Sequence, residues 1–323
     1  MTKPFRFGYQ AFAPESAAQW RDMARKAEDH GYSAFHLADH YLGEGTAYTE
    51  AAHPPQSVAA VPAMVAAAAV TETIKIGCRV FCCDYHNPVV LAKEMATIDL
   101  MSDGRLEAGF GAGWIASEYQ AMNVPMDRPG IRIARMAEYI EFSKAFFAGG
   151  QMDYDGTYVK ASGFEALPVS PQPGGPKIMV GGGSPKVLGI AGAMADIVSL
   201  NFDNSAGKIG EHGLASSTAE RTLQKLGWVR DGAGDRFDDL EIEIAAYFTA
   251  VTDHTEATVA GMAQAMGMTP ETMAAHPHAL IGSVDQICEG LIERREKYGI
   301  SYVTVGATQL NDFAPVVAKL AGT

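Results

Sequence analysis

The chain has 323 residues, 47% of them hydrophobic, with 25 basic and 38 acidic side chains and a net charge of −13. That length can bury a large core, and an acidic chain without a basic run is poorly suited to nucleic acid or to an anionic membrane surface. No apolar run reaches the ~18 residues of a membrane span, and the longest, residues 58–70, is interrupted by Pro62.

The N-terminus, Met1-Thr-Lys-Pro-Phe-Arg-Phe-Gly-Tyr, has no h-region and leads straight into an apolar run, so a cytoplasmic enzyme is expected. Residues 6–12 read as the first strand. A helix over 16–30 follows, with Trp20, Met23, Ala24 and Ala27 on one face and Gly31 as its stop. Strand two is expected at 34–39, a helix at 56–69 and strand three at 74–82. Asn87-Pro88 caps a helix running to 101. Strand four is expected at 105–109, and a long helix at 132–148. Asp155-Gly156 between aromatic residues signals a hairpin on the rim. Strand five at 177–180 precedes Ser184-Pro185, a helix start, and strand six covers 196–202. A helix at 218–229 and strand seven at 240–252 follow, then helices at 255–266 and 270–275. Ser283-Val-Asp-Gln286 is a capping box for a helix whose core face is Val284, Ile287, Cys288, Leu291 and Ile292. Strand eight at 300–306 and a helix at 313–320 close the chain. Strands alternating with helices imply a parallel sheet. The count of eight favours a single-domain α/β chain, a closed (β/α)8 TIM barrel with loop insertions on its carboxyl-end rim, over an open doubly wound sheet.

Chemistry in such a barrel sits on the loops after the strands. Two glycine-rich turns lie there: Gly109-Phe110-Gly111-Ala112-Gly113-Trp114 and Gly181-Gly182-Gly183-Ser184-Pro185. Glycine lets backbone N–H groups approach an anion, so the pair points to a phosphate-bearing cofactor. His40, after Asp39 at the end of strand two, is the best candidate for proton chemistry or for hydrogen bonding to a ring. Glu118 lies on a probable helix start after the first turn, where a carboxylate also simply complements a helix dipole. His53, His86, His276 and His278 neighbour proline or turn residues and read as loop or cap histidines. Arg132 and Arg135 read as exposed surface arginines. Cys78, Cys82, Cys83 and Cys288 suit a reducing compartment as small buried thiols. No His, Cys and carboxylate set has metal-ligand spacing. There is no G-x-S-x-G elbow, no P-loop and no initial Rossmann unit.

In order along the chain, Ala38-Asp39-His40-Tyr41-Leu42, Ile74-Lys-Ile-Gly77-Cys-Arg-Val and His86-Asn-Pro88 through Asp99 form a recurring pattern. It continues in Gly104-Arg105 through Trp114, Glu118-Tyr119, Pro171-Gln172-Pro173, Lys177 through Gly183 and Ile292 through Tyr302. Together these stretches resemble the bacterial-luciferase-like superfamily of flavin and deazaflavin oxidoreductases, over nearly the whole chain. The branch most similar uses coenzyme F-420, an 8-hydroxy-5-deazaflavin. The resemblance implies a barrel, often a homodimer, that passes a hydride between the cofactor and a small-molecule substrate. FMN, in a two-component monooxygenase, is the alternative, and a cofactor carrier without activity is a third reading. It implies that Asp39, His40, Cys78, Arg79, Val80, Gly111, Gly113, Gly181, Gly182, Gly183 and Ser184 hold the cofactor. His40, Trp114 and Glu118 are the catalytic candidates. A cis peptide would fall at Arg79-Val80. Arg79 replaces the small residue common there, so it is expected to reach into the site or to pair with a carboxylate. Trp114 stands where sugar-phosphate dehydrogenases of the branch have an acid, which weighs against a sugar phosphate and against transferring that role to Glu118.

Overall fold

Eight parallel strands close into a barrel in the computed structural model, which describes residues 3–323. They are β1 (Arg6–Gln10), β2 (Ala34–Leu37), β3 (Lys75–Cys78), β4 (Leu106–Gly111), β5 (Lys177–Gly182), β6 (Ile197–Leu200), β7 (Glu241–Ala246) and β8 (Ile300–Val305). Each pairs with the next, Ile76 of β3 facing Leu106 of β4, and β8 returns to β1 with Phe7 opposite Val303. Apolar residues at alternate positions, such as Phe7 and Tyr9 of β1 and Ile242 and Ile244 of β7, face the helices, and this period-two pattern makes the strands readable.

The covering helices start where their caps say. Ser16 Oγ accepts from the Gln19 N–H, and Asn87 Oδ1 from the N–H groups of Val89 and Val90. Ser283 and Gln286 satisfy each other's backbone donors. On that last helix, Val284–Tyr298, Ile287, Cys288 and Leu291 are buried, but Ile292 is 37% exposed. One residue beyond Leu291 the helix has turned about 100°, away from the barrel.

Two expected strands are broken. Residues 74–82 split into β3 and Phe81–Cys82, separated by a cis Arg79–Val80 peptide. Residues 240–252 split at Tyr247, after which Phe248–Val251 pairs with Ala279–Gly282 outside the barrel. A short helix, Thr46–Ala51, was not foreseen. The rim hairpin is present as Gly150–Asp155 against Lys160–Ala166.

The main apolar core lies between barrel and helices, while the barrel's interior is largely polar. Near its floor Arg6 ion-pairs with Glu107 and with Glu241 (2.7 Å), and Tyr302 donates to Glu107 at 3.0 Å. Burial alone would raise the Glu107 carboxyl, but Arg6 and His36 hold it well below the usual carboxylate range. One layer higher, Arg79 Nε donates to both Glu243 oxygens at 3.1 and 3.2 Å, Nη1 to Gln10 at 3.2 Å and Nη2 to Ser199 at 3.0 Å. The expected carboxylate partner of Arg79 is therefore Glu243.

Candidate active site at the barrel mouth

Above the Arg79 layer a cavity of about 640 Å³ opens among the loops that follow the strands. That is the size of a pocket for a cofactor ring with a small substrate. Its wall includes Gln10, Asp39, His40, the Arg79–Val80 bulge, the turn Gly111–Trp114, the turn Gly181–Ser184 and Asn201.

His40 is held from behind. Its Nδ1 lies 2.8 Å from Glu118 Oε2; a carboxylate only accepts, so Nδ1 carries the hydrogen and Nε2 is left toward the cavity. Glu118 also accepts from the Tyr41 N–H (2.6 Å) and the Tyr85 hydroxyl (3.0 Å). Its burial would raise its pKa, but the His40, Tyr41 and Tyr85 bonds outweigh that and leave it below the ordinary value. Glu118 is 1% exposed and does not line the cavity. Its expected place among the reacting groups is therefore corrected: it orients His40 from the second layer, much as a buried carboxylate orients a catalytic histidine.

Asp39 Oδ2 accepts from the Cys82 N–H at 3.0 Å and from His86 Nε2 at 2.7 Å, so the His86 imidazole braces the site instead of only capping a loop. Asp39 Oδ1 is buried without a partner. A buried acceptor of that kind is costly to leave unpaired, and it fits the N–H or hydroxyl donors of a flavin-type ring.

The glycine turns have two different reasons. A Cβ on Gly109 would lie 2.1 Å from the Cys78 carbonyl oxygen, and one on Gly111 would lie 2.6 Å from Val80 Cγ2. These glycines make room for the β3 bulge as well as for any ligand. At Gly183 a Cβ would lie 2.3 Å from the Phe202 carbonyl oxygen, so this glycine serves the β5–β6 packing. Gly181, Gly182, Gly183 and Ser184 still line the cavity, at the start of the helix Pro185–Met194. Cys78 does not; it is 1% exposed within the apolar core, because its side chain leaves β3 on the face opposite the cavity. That expected contact is corrected.

Other residues were missed or misread. Arg132, expected on the surface, is buried and donates through Nη1 to the carbonyls of Ala112 (3.0 Å) and Gly113 (2.5 Å), clamping the Trp114 turn. His53 packs against His40 with ring centroids 4.4 Å apart, and both meet Trp114 edge-on at 5.8 and 6.0 Å. No local signal marks His53; its neighbours come from elsewhere in the chain. A roof is tied over this region by main-chain bonds: the Ile209 N–H donates to Ala51 O (3.1 Å), Ala116 N–H to Gly207 O (3.2 Å) and Gln56 N–H to Leu42 O (2.9 Å). Among the described residues there is no metal-ligand cluster and no helix long and apolar enough to cross a membrane.

The family model for luciferase-like monooxygenases matches residues 2–302. The chain belongs to this luciferase-like family. An uncharacterised protein of Mycobacterium tuberculosis is 31% identical over 192 residues, 56% of this chain and 66% of that protein. The match thus spans just under two thirds of that relative's length. An F-420-dependent glucose-6-phosphate dehydrogenase of Nocardia farcinica is 32% identical over 197 residues, 59% of this chain and 54% of that one. Among solved structures, the coenzyme F-420-dependent tetrahydromethanopterin reductase of Methanopyrus kandleri superposes with a TM-score of 0.74 at 19% identity, covering 98% of each chain. That likeness is one of fold.

Proposed function

We propose that the chain is an oxidoreductase that binds coenzyme F-420 across the barrel mouth and exchanges a hydride with a small, uncharged organic substrate. The observation that carries this is His40, presenting Nε2 to the cavity while Glu118 holds Nδ1. When bound, the deazaflavin supplies the hydride acceptor or donor, which no side chain can replace. The protein supplies the rest. Gly181–Ser184 at a helix start suits the cofactor's phosphate, although Pro185 removes one N–H there. Asp39 Oδ1 offers an acceptor to the ring, and Val80 and Trp114 shut out water. His40 takes or returns the substrate proton at Nε2, with the Glu118 carboxylate fixing the ring's orientation through Nδ1. A sugar phosphate fits poorly: among the described residues no lysine lines the cavity, and its two arginines, Arg79 and Arg132, are held by protein acceptors.

The test is titration of the purified protein with F-420 and with FMN. F-420 binding with FMN much weaker is expected. Tight FMN binding without F-420 binding would sink the proposal. The family's description favours that second reading, an FMN-dependent monooxygenase. Oxygen consumption with reduced flavin separates it, since a deazaflavin reacts poorly with oxygen.

A further inference from the structure

A second imidazole reaches the cavity. His53 is 9% exposed and lines the wall beside His40. Its Nδ1 lies 2.7 Å from the Pro54 carbonyl oxygen, and since a carbonyl only accepts, Nδ1 carries the hydrogen. Nε2 is then a bare lone pair whenever the ring is neutral. The ring is packed edge-on to Phe12 at 6.2 Å and to Trp114 at 5.8 Å, which holds it against the wall. Burial, with the neighbouring His40, pushes its pKa down to about 4, so it stays neutral near pH 7.

The two histidines therefore differ in kind. His40 has a carboxylate behind it. His53 has a backbone carbonyl behind it and offers only an acceptor. Their centroids are 4.4 Å apart, so they serve one end of the same small molecule. A carboxylate or phosphate placed there would meet a lone pair with no free lysine to offset it. A substrate that offers a donor pairs with Nε2 and one that lacks it does not, the basis on which hydrogen-bonding sites reject deoxy analogues.

We propose that His53 is a substrate-recognition residue whose Nε2 accepts a hydrogen bond from a hydroxyl group adjacent to the one His40 serves, selecting uncharged 1,2-diols and the corresponding hydroxyketones. This rests on the reading of the cavity as a substrate site beside a bound cofactor. His53 remains neutral throughout and takes no part in the proton transfer.

The test uses the full chain, labelled with ¹⁵N-histidine and loaded with F-420. Long-range ¹H–¹⁵N spectra at pH 7, assigned with His53→Gln, should show His53 protonated at Nδ1 and bare at Nε2. Added cis-1,2-cyclohexanediol should shift that Nε2 signal, whereas cyclohexanecarboxylate should not. His53→Phe should weaken diol binding at least tenfold with F-420 affinity unchanged, and His53→Gln, which keeps an acceptor, should restore part of it. A hydrogen on Nε2, no shift at saturating diol, or an equal response to the carboxylate overturns the proposal. If the chain does not bind F-420, the cofactor reading fails on its own, and the spectra of the unloaded protein still decide the state of His53.

Discussion

Three donors converge on Glu118: the His40 imidazole, the Tyr41 N–H and the Tyr85 hydroxyl. His40 and Tyr85 line the cavity, so the carboxylate's influence on chemistry passes through these two, and through His40 for proton transfer. Glu118→Gln keeps the shape but removes the charge. We expect kcat to fall by about 10²-fold, in the range of lost general acid–base catalysis, with F-420 affinity and KM little changed. Loss of cofactor binding in this variant would mean that Glu118 supports the fold of the site and not the proton. The sign with pH follows from its depressed pKa. Its stabilising bonds are fully present above the ordinary carboxylate range and are lost as pH falls through the folded value. At this scale the sequence was uneven. His40 was visible because it ends a strand; Glu118 was visible as a residue but not in its role. The placement of His53 and Arg132 was illegible, because it depends on partners brought in by the tertiary fold: Trp114 for the first, the carbonyls of Ala112 and Gly113 for the second.

Strands and helices were easier to read than their interruptions. The strands' core-facing residues are apolar at alternate positions and caps are local, so both show in one dimension. The departure of the chain at Tyr247 does not, since the partner strand Ala279–Gly282 is remote in sequence; the cis peptide at Arg79–Val80 was expected from the family resemblance and is present. The glycines of β4 illustrate the point: the sequence shows them as ligand-approach residues, while the fold uses them to seat the neighbouring bulge. Gly109→Ala puts a methyl 2.1 Å from a backbone oxygen that cannot move independently. A loss of about 1–3 kcal/mol is expected from such overpacking. Gly227→Ala is the control, on the helix Ala219–Ala233 with nothing within 4 Å of the new methyl. It should gain ~0.5–1 kcal/mol, the usual helix cost of glycine. Urea unfolding of the two variants checks both signs; a neutral Gly109→Ala would show that the bulge shifts freely.

Across the molecule, buried histidines should make the fold acid-sensitive well above the carboxylate range. Burial, reinforced by neighbouring cations, pushes His276 down to about 4, and burial with the adjacent His276 lowers His278 well below its ordinary value. With His53, also near 4, these rings fold neutral and unfold into a state that binds protons below pH 6.5. Stability therefore falls as pH drops from about 6.5 toward 4, by up to ~1.4 kcal/mol per pH unit for each ring. Loss of the Glu107 and Glu118 contributions follows only at lower pH. Thermal unfolding at pH 7.5, 6, 5 and 4 should show a falling Tm from the second point onward, with a shallower slope in His276→Gln. A Tm constant down to pH 5 would contradict the neutral state of these rings.

The roof over the cavity is joined main chain to main chain, Ala51 to Ile209, Gly207 to Ala116 and Leu42 to Gln56. Such joints do not depend on which side chains the loops carry. The roof's side chains can therefore be exchanged without dismantling it, whereas the barrel's Arg79–Glu243 layer is made of the side chains themselves. Substitutions that change what the pocket admits should be tolerated best on this ceiling, whose joinery stays the same.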